Sequence, residues 1–580
     1  MCGIIGYIGH REAAPVLVGG LKALEYRGYD SFGLATMGGD IQILKKRGKI
    51  SEGIHQVDAL EGRIGIGHTR WATHGEPSDP NAHPHTDCHG RIAVVHNGII
   101  TNYAALKEEL LARGHRFTSE TDTEVIAHLM EEYGRGDSLA ALRDSLRRLE
   151  GTYALLVMVS GEDRILAARQ KSPLVLGLGD RETLAASDVV PLLEYTGKVV
   201  FLDDGDIAIL APDGVSIVSD GGPVTRPIER ISWQREQARK GGYRHFMQKE
   251  IFEQPIAFFE TLKSLDRSAI LSLFRGRREL TILACGSSYH AGLVGRQLLE
   301  GMCRMPVRVE LASEFRYSPI AMGNTAIAIS QSGETADTIA ALEHAEAMNC
   351  ETIAITNVQG SSITRIADHV IFTRAGPEIG VAATKSYIAQ LGVFMAIAAS
   401  LAGDAETERA LMGAHRALER ALHQDYTQAA ELCSGARSLF FIGRGLYYPA
   451  AMEGALKMKE ISYIHAEAYA AGELKHGPLA LLTPETPVVA ICTCDDTREA
   501  MLSSMKEVKA RGAPLIAIGE GKDPDPRNVA DIFIPIPCTH AFHKLLQVTV
   551  VLQLLAYHTA SLLGREIDQP RNLAKSVTVE

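Results

Sequence analysis

Leu280-Thr281-Ile282-Leu283-Ala284 is a compact apolar run, and Cys285-Gly286-Ser287-Ser288-Tyr289 follows it directly. A short strand that passes into glycine and hydroxyls and then into a helical stretch reads as the opening of a βαβ unit. Residues 325–329 and 352–355 are apolar runs of the same kind, each with a helical stretch behind it. That rhythm predicts a parallel sheet with helices packed on its faces. The rhythm then restarts. Residues 439–443 echo 281–286, 488–491 echo 326–329, and 515–518 echo 352–355. The offset is about 160 residues each time, too long for a solenoid repeat and suited to two copies of one α/β domain.

Upstream the chain is built differently. Short β-like runs at 2–8, 64–68, 92–96, 154–158 and 199–201 are separated by glycine-rich turns, with helical stretches at 102–114 and 123–133. Residues 229–242 are polar, weakly patterned and closed by Gly241-Gly242, and read as a linker. The expected division is a first domain at 2–225, a linker at 226–242, the two α/β copies at 243–415 and 416–564, and a tail at 565–580. A chain of 580 residues suits several domains.

Composition narrows the classes of function. With 59 basic against 70 acidic residues the net charge is −11, which argues against general binding of nucleic acid or an anionic membrane. Nine scattered cysteines fit a reducing compartment, and no secretory signal pattern opens the chain, so a cytoplasmic location is expected. The apolar stretch at 545–555 is interrupted by Gln547 and Gln553 and reads as a helix buried in a core or an oligomer interface, not a membrane span.

Chemistry first shows at the second residue. Removal of Met1 would leave Cys2 with a thiol and a free α-amine on one residue, and an α-amine with a pKa of roughly 7.7–8.0 can act as base. Polar residues gather where strands end: His68-Thr69-Arg70-Trp71-Ala72-Thr73-His74-Gly75, then His96-Asn97-Gly98, then Ser119-Glu120-Thr121-Asp122-Thr123-Glu124 ahead of a helix. An Asn amide and a Gly N–H suit an oxyanion. Arg70 can grip a carboxylate through two hydrogen bonds, and Asp122 can pair with an ammonium. Asn97-Gly98 alone would read as a hairpin turn and Asp122 alone as a helix cap; the set fits a free amino acid attacked by Cys2. The run His83-Pro84-His85-Thr86-Asp87-Cys88-His89 fits no usual zinc spacing, and no metal is expected there.

The α/β half offers a second site. Ser287 and Ser288 open one helix, and Ser330-Gln331-Ser332-Gly333-Glu334-Thr335 follows the next strand. Hydroxyls and N–H groups at helix starts cradle phosphate without net positive charge, and two such turns on adjacent strands converge where α/β sheets bind ligands. The second copy departs here, with Gly443-Arg444-Gly445 in place of Gly286-Ser287-Ser288, so one phosphate site per chain is expected. It carries instead Glu453-Gly454-Ala455-Leu456-Lys457-Met458-Lys459-Glu460, whose helical spacing sets Glu453, Lys457 and Glu460 along one face.

With these residues in view, the first part resembles the glutaminase domain of N-terminal-nucleophile amidotransferases, and the second resembles tandem sugar-phosphate isomerase (SIS) domains. The order of domains and both ends of the chain are similar to the isomerising glutamine–fructose-6-phosphate aminotransferase family. The resemblance implies an α/β multidomain fold: an αββα glutaminase domain followed by two SIS-type αβα parallel-sheet domains. It implies an amino-sugar-forming enzyme acting on L-glutamine and fructose 6-phosphate, with no cofactor, and with ammonia passing inside the protein. It implies that Cys2 attacks the glutamine amide, that Asn97 and Gly98 hold the oxyanion, and that Arg70, Trp71, Thr73, His74 and Asp122 shape the glutamine pocket, Trp71 also gating the ammonia path. For the sugar phosphate it implies Ser287, Ser288, Ser330, Gln331, Ser332, Thr335 and Val381. Ser287 stands where Thr is more usual, and Ala383 where Ser is common. Glu460 would move the proton between C1 and C2, Lys457 would assist, and His476, in Glu473-Leu474-Lys475-His476-Gly477-Pro478, would help open the ring from a partner subunit. That makes at least a homodimer the expected state. Lys575, in the tail, would form a Schiff base with the ketose. Two rivals follow from the same residues: an amidotransferase of this architecture acting on another phosphosugar, and a sugar-phosphate-sensing regulator, which the full set of catalytic groups and the lack of a basic recognition helix oppose.

Overall fold

The computed structural model describes residues 2–134, 136–219, 222–231, 233, 235–318, 324–537 and 540–578, without the side chains of 54, 55, 58 and 235. Met1, whose removal the reading of Cys2 invokes, residues 232 and 234 of the expected linker and 579–580 of the tail lie outside the described residues. Contacts divide the chain into two units, Met1–Ala238 with Ala574–Glu580, and Arg239–Leu573.

Strict alternation builds the first unit. Along strand Gly3–Gly9, Ile4 and Ile8 enter one core while Ile5 and Tyr7 enter another, because successive side chains leave a strand on opposite faces. The strand lies in an eight-stranded sheet ordered Glu229–Arg230, Lys198–Phe201, Val175–Leu178, Glu182–Ala186, Gly3–Gly9, Ile64–Arg70, Ser31–Met37, Ile41–Arg47. A seven-stranded sheet runs Gly222–Val224, Gly214–Ser219, Ile207–Ala211, Ile165–Gln170, Gly151–Val159, Ile92–Ile100, His85–Thr86. The strand pairings within these two sheets are antiparallel. One core lies between the sheets, with Ile4, Ile66, Val95 and Leu156. Helix Ala13–Leu24 covers the outer face of the first sheet, and helices Tyr103–Ala112, Glu124–Tyr133 and Ser138–Leu146 cover that of the second. The layers are therefore α, β, β, α. The stretch read as a linker is partly ordered structure: Lys198 and Val199 pair with Arg230 and Glu229 at the edge of the larger sheet. Its charged composition suits an edge strand, which faces water on one side.

The second unit holds two five-stranded parallel sheets. The first is ordered Val307–Leu311, Leu280–Ala284, Thr325–Ser330, Glu351–Thr356, His369–Phe372. The other is ordered His465–Ala470, Ser438–Gly443, Val488–Ile491, Leu515–Glu520, Ile532–Ile536. Both follow the order second, first, third, fourth, fifth. The whole of Leu280–Ala284 is buried, as expected of a strand covered on both faces. Chain order reverses between the first and third strands of each sheet, and ligand crevices open beyond the carboxyl ends of such strands. A single apolar core runs through both copies, and Val393, Phe394, Leu546 and Val550 belong to it. Helix Ala405–Ala421 runs through the position 415/416 drawn as the boundary between copies. Helices Lys385–Ala402 and Ala541–Leu562 are long and apolar enough to cross a membrane, but 83% of each apolar window is buried inside the protein. Burial within the core accounts for the apolar run at 545–555.

Candidate active sites

In the first unit Cys2 precedes strand Gly3–Gly9, and the neighbouring strand Ile64–Arg70 delivers the 70–75 loop beside it. The Trp71 N–H donates to Cys2 Sγ at 3.3 Å. Asn97 Nδ2 donates to the Cys2 carbonyl at 3.0 Å, while Asn97 Oδ1 is buried without a partner among the described residues. Burial pushes the Cys2 thiol up, against the Trp71 N–H and the Arg70 charge, which favour thiolate. A thiol of raised pKa requires a base, so the proton has to be taken as the nucleophile attacks.

Gly98 sits at φ +129°, and a Cβ there would meet the Thr152 carbonyl oxygen at 2.0 Å. Glycine alone fits, and the hairpin reading of Asn97-Gly98 fails: both lie inside strand Ile92–Ile100, not in a turn. Arg70 Nη2 donates to the carbonyls of His74 and Gly75, folding the loop around the guanidinium. Arg70 Nη1 is buried without a hydrogen-bond partner among the described residues, a donor fit for an incoming carboxylate. Asp122 Oδ2 accepts from Ile100 N at 2.8 Å. The reading of Asp122 as a helix cap is not what the structure places: helix Glu124–Tyr133 begins after Thr123, without a side-chain cap. Trp71 packs edge-on to Tyr29 with ring centroids 5.7 Å apart, and His74 packs edge-on to Tyr103 at 5.3 Å. Thr73 is exposed on the same loop.

The histidines near this site are packed groups. His83 stacks on His68 at 4.0 Å and takes the His96 N–H on Nδ1 at 3.3 Å; His85 Nε2 meets Thr121 Oγ1 at 3.0 Å. Burial, then the Arg70 charge, push His68 down to about 3. Sequence reading treated residues 83–89 as one run. The structure scatters them: Asp87 Oδ1 takes the N–H groups of Arg91 and Ile92 at 2.7 and 2.9 Å, and Cys88 Sγ lies beside His115 and His128, outside the run.

In the second unit the hydroxyl turns sit where the topology requires. Helix Gly286–Cys303 starts at the end of strand Leu280–Ala284, and Ser330–Thr335 follows strand Thr325–Ser330. Ser330 Oγ and Thr335 Oγ1 are 2.9 Å apart, and Ser330 Oγ takes the Gly333 N–H at 3.0 Å. Ser332 Oγ takes the Glu334 N–H at 3.2 Å, and the Gln331 carbonyl takes the Asn357 N–H at 3.1 Å. Ser288 Oγ accepts from Gln390 Nε2 at 3.0 Å. The Val381 N–H donates to the Asp568 carbonyl at 3.0 Å, so its loop is tied to the base of the tail.

Ser287 differs from the expectation of a free cradle hydroxyl. It donates to Glu453 Oε1 at 2.8 Å, and His290 Nδ1 meets Glu453 Oε2 at 2.8 Å. Glu453 and Lys457 lie on helix Tyr447–Ser462, and Lys457 Nζ reaches Glu453 at 3.4 Å and Glu460 at 2.5 Å. Lys457 is buried, yet two carboxylates outweigh desolvation and hold its ammonium pKa up. Burial alone would raise the Glu453 carboxyl; Lys457 and His290 overcome it and hold the carboxyl below its ordinary range. The Tyr387 hydroxyl is buried with no hydrogen-bond partner among the described residues. Sequence reading missed Glu453 as a site residue, and it missed His290 and Tyr387 entirely. The i,i+3 spacing of Ser287 and His290 on one helix was the available signal.

His476 ends the 3₁₀ segment Ala471–His476 and is exposed, followed by Gly477 at φ +149°. Arg571 and Arg565 stack on Tyr463, the residue capping the Glu460 helix, with guanidinium carbons 4.4 and 5.4 Å from the ring centroid. Lys575 is half-buried and groups with the first unit.

A glutamine amidotransferase domain model matches residues 35–211, and a SIS domain model matches 273–400 and 433–562. Glutamine–fructose-6-phosphate aminotransferase [isomerizing] of Thermus thermophilus is 48% identical over 606 residues, covering 100% of both chains. The Pyrococcus horikoshii protein of that name is 49% identical over 600 residues, again covering 100% of both. Among solved structures, the C-terminal domain of glucosamine-fructose-6-phosphate aminotransferase from Francisella tularensis aligns with TM-score 0.53 and 40% identity, covering 57% of this chain and 100% of that one.

Proposed function

The chain belongs to the family of isomerising glutamine–fructose-6-phosphate aminotransferases, and on that premise we propose how its residues divide the work. L-glutamine and D-fructose 6-phosphate become L-glutamate and D-glucosamine 6-phosphate. Residues 2–225 release ammonia, 243–564 bind and convert the sugar, and the tail at 565–580 supplies a lysine. Once Met1 is removed, the Cys2 amine takes the thiol proton as sulfur attacks the amide carbon. Asn97 Nδ2 and the Gly98 N–H stabilise the oxyanion; ammonia leaves with a returned proton, and water hydrolyses the thioester to glutamate. Arg70 Nη1 and Asp122 hold the glutamine carboxylate and ammonium, with Trp71, Thr73 and His74 closing the pocket.

In the sugar half, Ser288, Ser330, Gln331, Ser332, Thr335 and Val381 surround the phosphate, and Ser287 acts through Glu453. Water is lost from C2 as the Lys575 Schiff base forms, ammonia then adds at C2 and displaces the Lys575 amine, and Glu460 carries a proton between C1 and C2 while Lys457 holds it in place. The observation that carries this reading is the Ser287–Glu453–Lys457–Glu460 chain of contacts. It joins the hydroxyl turn of one copy to the acid–base helix of the other. Lys575 forms a Schiff base with the ketose carbonyl. We further infer a reducing, cytoplasmic setting, since the eight cysteines among the described residues are all free.

The exposed His476 serves a partner's sugar site, making the enzyme at least a homodimer. Mixing His476→Ala with Glu460→Gln chains should restore up to about a quarter of wild-type activity, since each hybrid dimer then holds one intact site. No restoration would place His476 in its own chain's site. The substrate claim is tested directly: glucosamine 6-phosphate must form from glutamine and fructose 6-phosphate with no added cofactor. Formation from another phosphosugar in its place would overturn the acceptor.

A further inference from the structure

Cys88 stands in the turn between strands His85–Thr86 and Ile92–Ile100, and its side chain meets residues from two other segments. Cys88 Sγ lies 3.7 Å from His115 Nδ1 and 3.6 Å from His128 Nδ1. Glu131 Oε2 lies 2.9 Å from His115 Nδ1 and 3.2 Å from His128 Nδ1. The four groups keep one ligand atom each within 4.8 Å of all the others. Each imidazole thus turns the same nitrogen to a sulfur and to a carboxylate oxygen at once. A single N–H proton serves one acceptor well, not two. A shared cation serves all four atoms.

We propose that Cys88, His115, His128 and Glu131 bind one structural zinc ion. Zinc bonds of about 2.3 Å to sulfur and about 2.0–2.1 Å to nitrogen or oxygen give tetrahedron edges of about 3.5 Å for S···N and about 3.3 Å for N···O. The four edges above sit close to those lengths. The charges close as well: thiolate and carboxylate neutralise the dication, both imidazoles are neutral, and the thiol proton is released to solvent on binding. Behind the site stands a carboxylate of the kind that usually orients a ligating histidine: Glu132 Oε2 is 3.2 Å from His115 Nε2. Glu124 Oε1, 3.8 Å from His128 Nε2, faces that ring as a charge, beyond hydrogen-bond distance. The set of one sulfur, two nitrogens and one oxygen in a closed shell favours zinc over magnesium or calcium, which prefer oxygen alone.

The ion would fasten the Asp87–Gly90 turn and the segment before Ser119 onto helix Glu124–Tyr133. That helix follows Asp122, so the metal braces the wall that holds the glutamine ammonium. The ligands come from three segments, and only His128 and Glu131, three apart on one helix, form a local pattern. A reading confined to the run 83–89 does not find them.

Full-length protein purified without chelator or metal-affinity resin should carry about one zinc per chain by plasma mass spectrometry. Cys88→Ser should lose at least nine-tenths of it, with a lower melting temperature and a raised KM for glutamine, while Cys303→Ser keeps it. Metal-free wild-type protein given Co²⁺ should show tetrahedral d–d bands and a thiolate-to-cobalt charge-transfer band, and Cys88→Ser should not show the latter. Zinc retained in Cys88→Ser would overturn the assignment. So would wild-type protein that neither carries zinc nor develops the thiolate band with excess Co²⁺. The cobalt spectrum is read on wild-type chain, so it stands even if a variant folds poorly.

Discussion

The two parallel sheets share one strand order but finish it in opposite ways. In the first copy, the crevice ends of strands Leu280–Ala284 and Thr325–Ser330 open into hydroxyl turns, Ser288 after the one and Ser330, Ser332 and Thr335 after the other, with Ser330 Oγ and Thr335 Oγ1 2.9 Å apart. In the second copy the matching turn, residues 492–497, is saturated from within. Asp495 Oδ1 takes both the N–H and the hydroxyl of Thr497 at 2.7 and 2.6 Å. The Glu520 carboxylate accepts the Cys494 N–H at 3.0 and 2.9 Å, and Lys544 pairs with Glu520 at 2.6 Å. A backbone donor that phosphate could use is thus taken by the protein's own anion. Topology fixes where a ligand can bind; the side chains at the strand ends decide whether one does. The second copy contributes a helix instead, with Lys457 and Glu460.

The strongest test of that division replaces the second copy's acid–base group. Glu460→Gln should lower kcat for sugar conversion by about 10²–10⁴-fold, the range general acid–base catalysis supplies, and leave glutamine hydrolysis intact. A fall below tenfold would return the chemistry to the first copy. The next test attacks the internal anion. Glu520→Ala leaves Lys544, nearly buried, with the Cys494 carbonyl at 2.8 Å as its one acceptor among the described residues. It should cost about 2–4 kcal/mol in denaturant unfolding, since a buried charge loses its counter-ion. The sugar KM should not move. Inhibition by inorganic phosphate appearing in the variant alone would show that the second crevice had been opened.

Much of this contrast is legible in the sequence, because it rests on local pattern. Apolar runs such as Leu280–Ala284 announce buried parallel strands, and Ser330-Gln331-Ser332-Gly333 announces a helix-start turn. The substitution of Gly443-Arg444-Gly445 for Gly286-Ser287-Ser288 was enough to expect a single phosphate site. What stays hidden is long-range. Ser287 and Glu453 are 166 residues apart and meet only because the copies share one core. Glu520 becomes an internal anion only when two strand ends converge. The Cys88 cluster depends on a turn, a loop and a helix that no sequence window spans. At Asn97-Gly98 a dipeptide that alone signals a turn is held inside a strand by the sheet around it, and the glycine serves a close backbone approach to Thr152.

A smaller effect separates the two turns directly. Ser332→Ala and Thr335→Val each remove one hydroxyl from a charged ligand, worth about 1.5–3 kcal/mol, so KM for fructose 6-phosphate should rise by about 10–100-fold. Thr497→Val, at the matching place in the second copy, should leave KM within about twofold because Asp495 already occupies that hydroxyl. Equal effects at both turns would mean that both crevices hold substrate.

The smallest effect is one of pH, and it probes the joint between the copies. Glu453 has a folded-state pKa below its ordinary value of 4.5, with Lys457 and His290 overcoming the cost of burial. A carboxyl of that kind adds stability above its unfolded-state pKa and loses it as pH falls through the folded one. Unfolding free energy measured in urea should therefore drop as pH falls below about 4.5, and Glu453→Gln should show a shallower acid slope. The comparison is of slopes, because the variant also leaves Lys457 with one carboxylate fewer and is less stable at every pH. Parallel slopes would mean that Glu453 does not stay ionised between Ser287 and Lys457, and the link from hydroxyl turn to acid–base helix would then rest on packing alone.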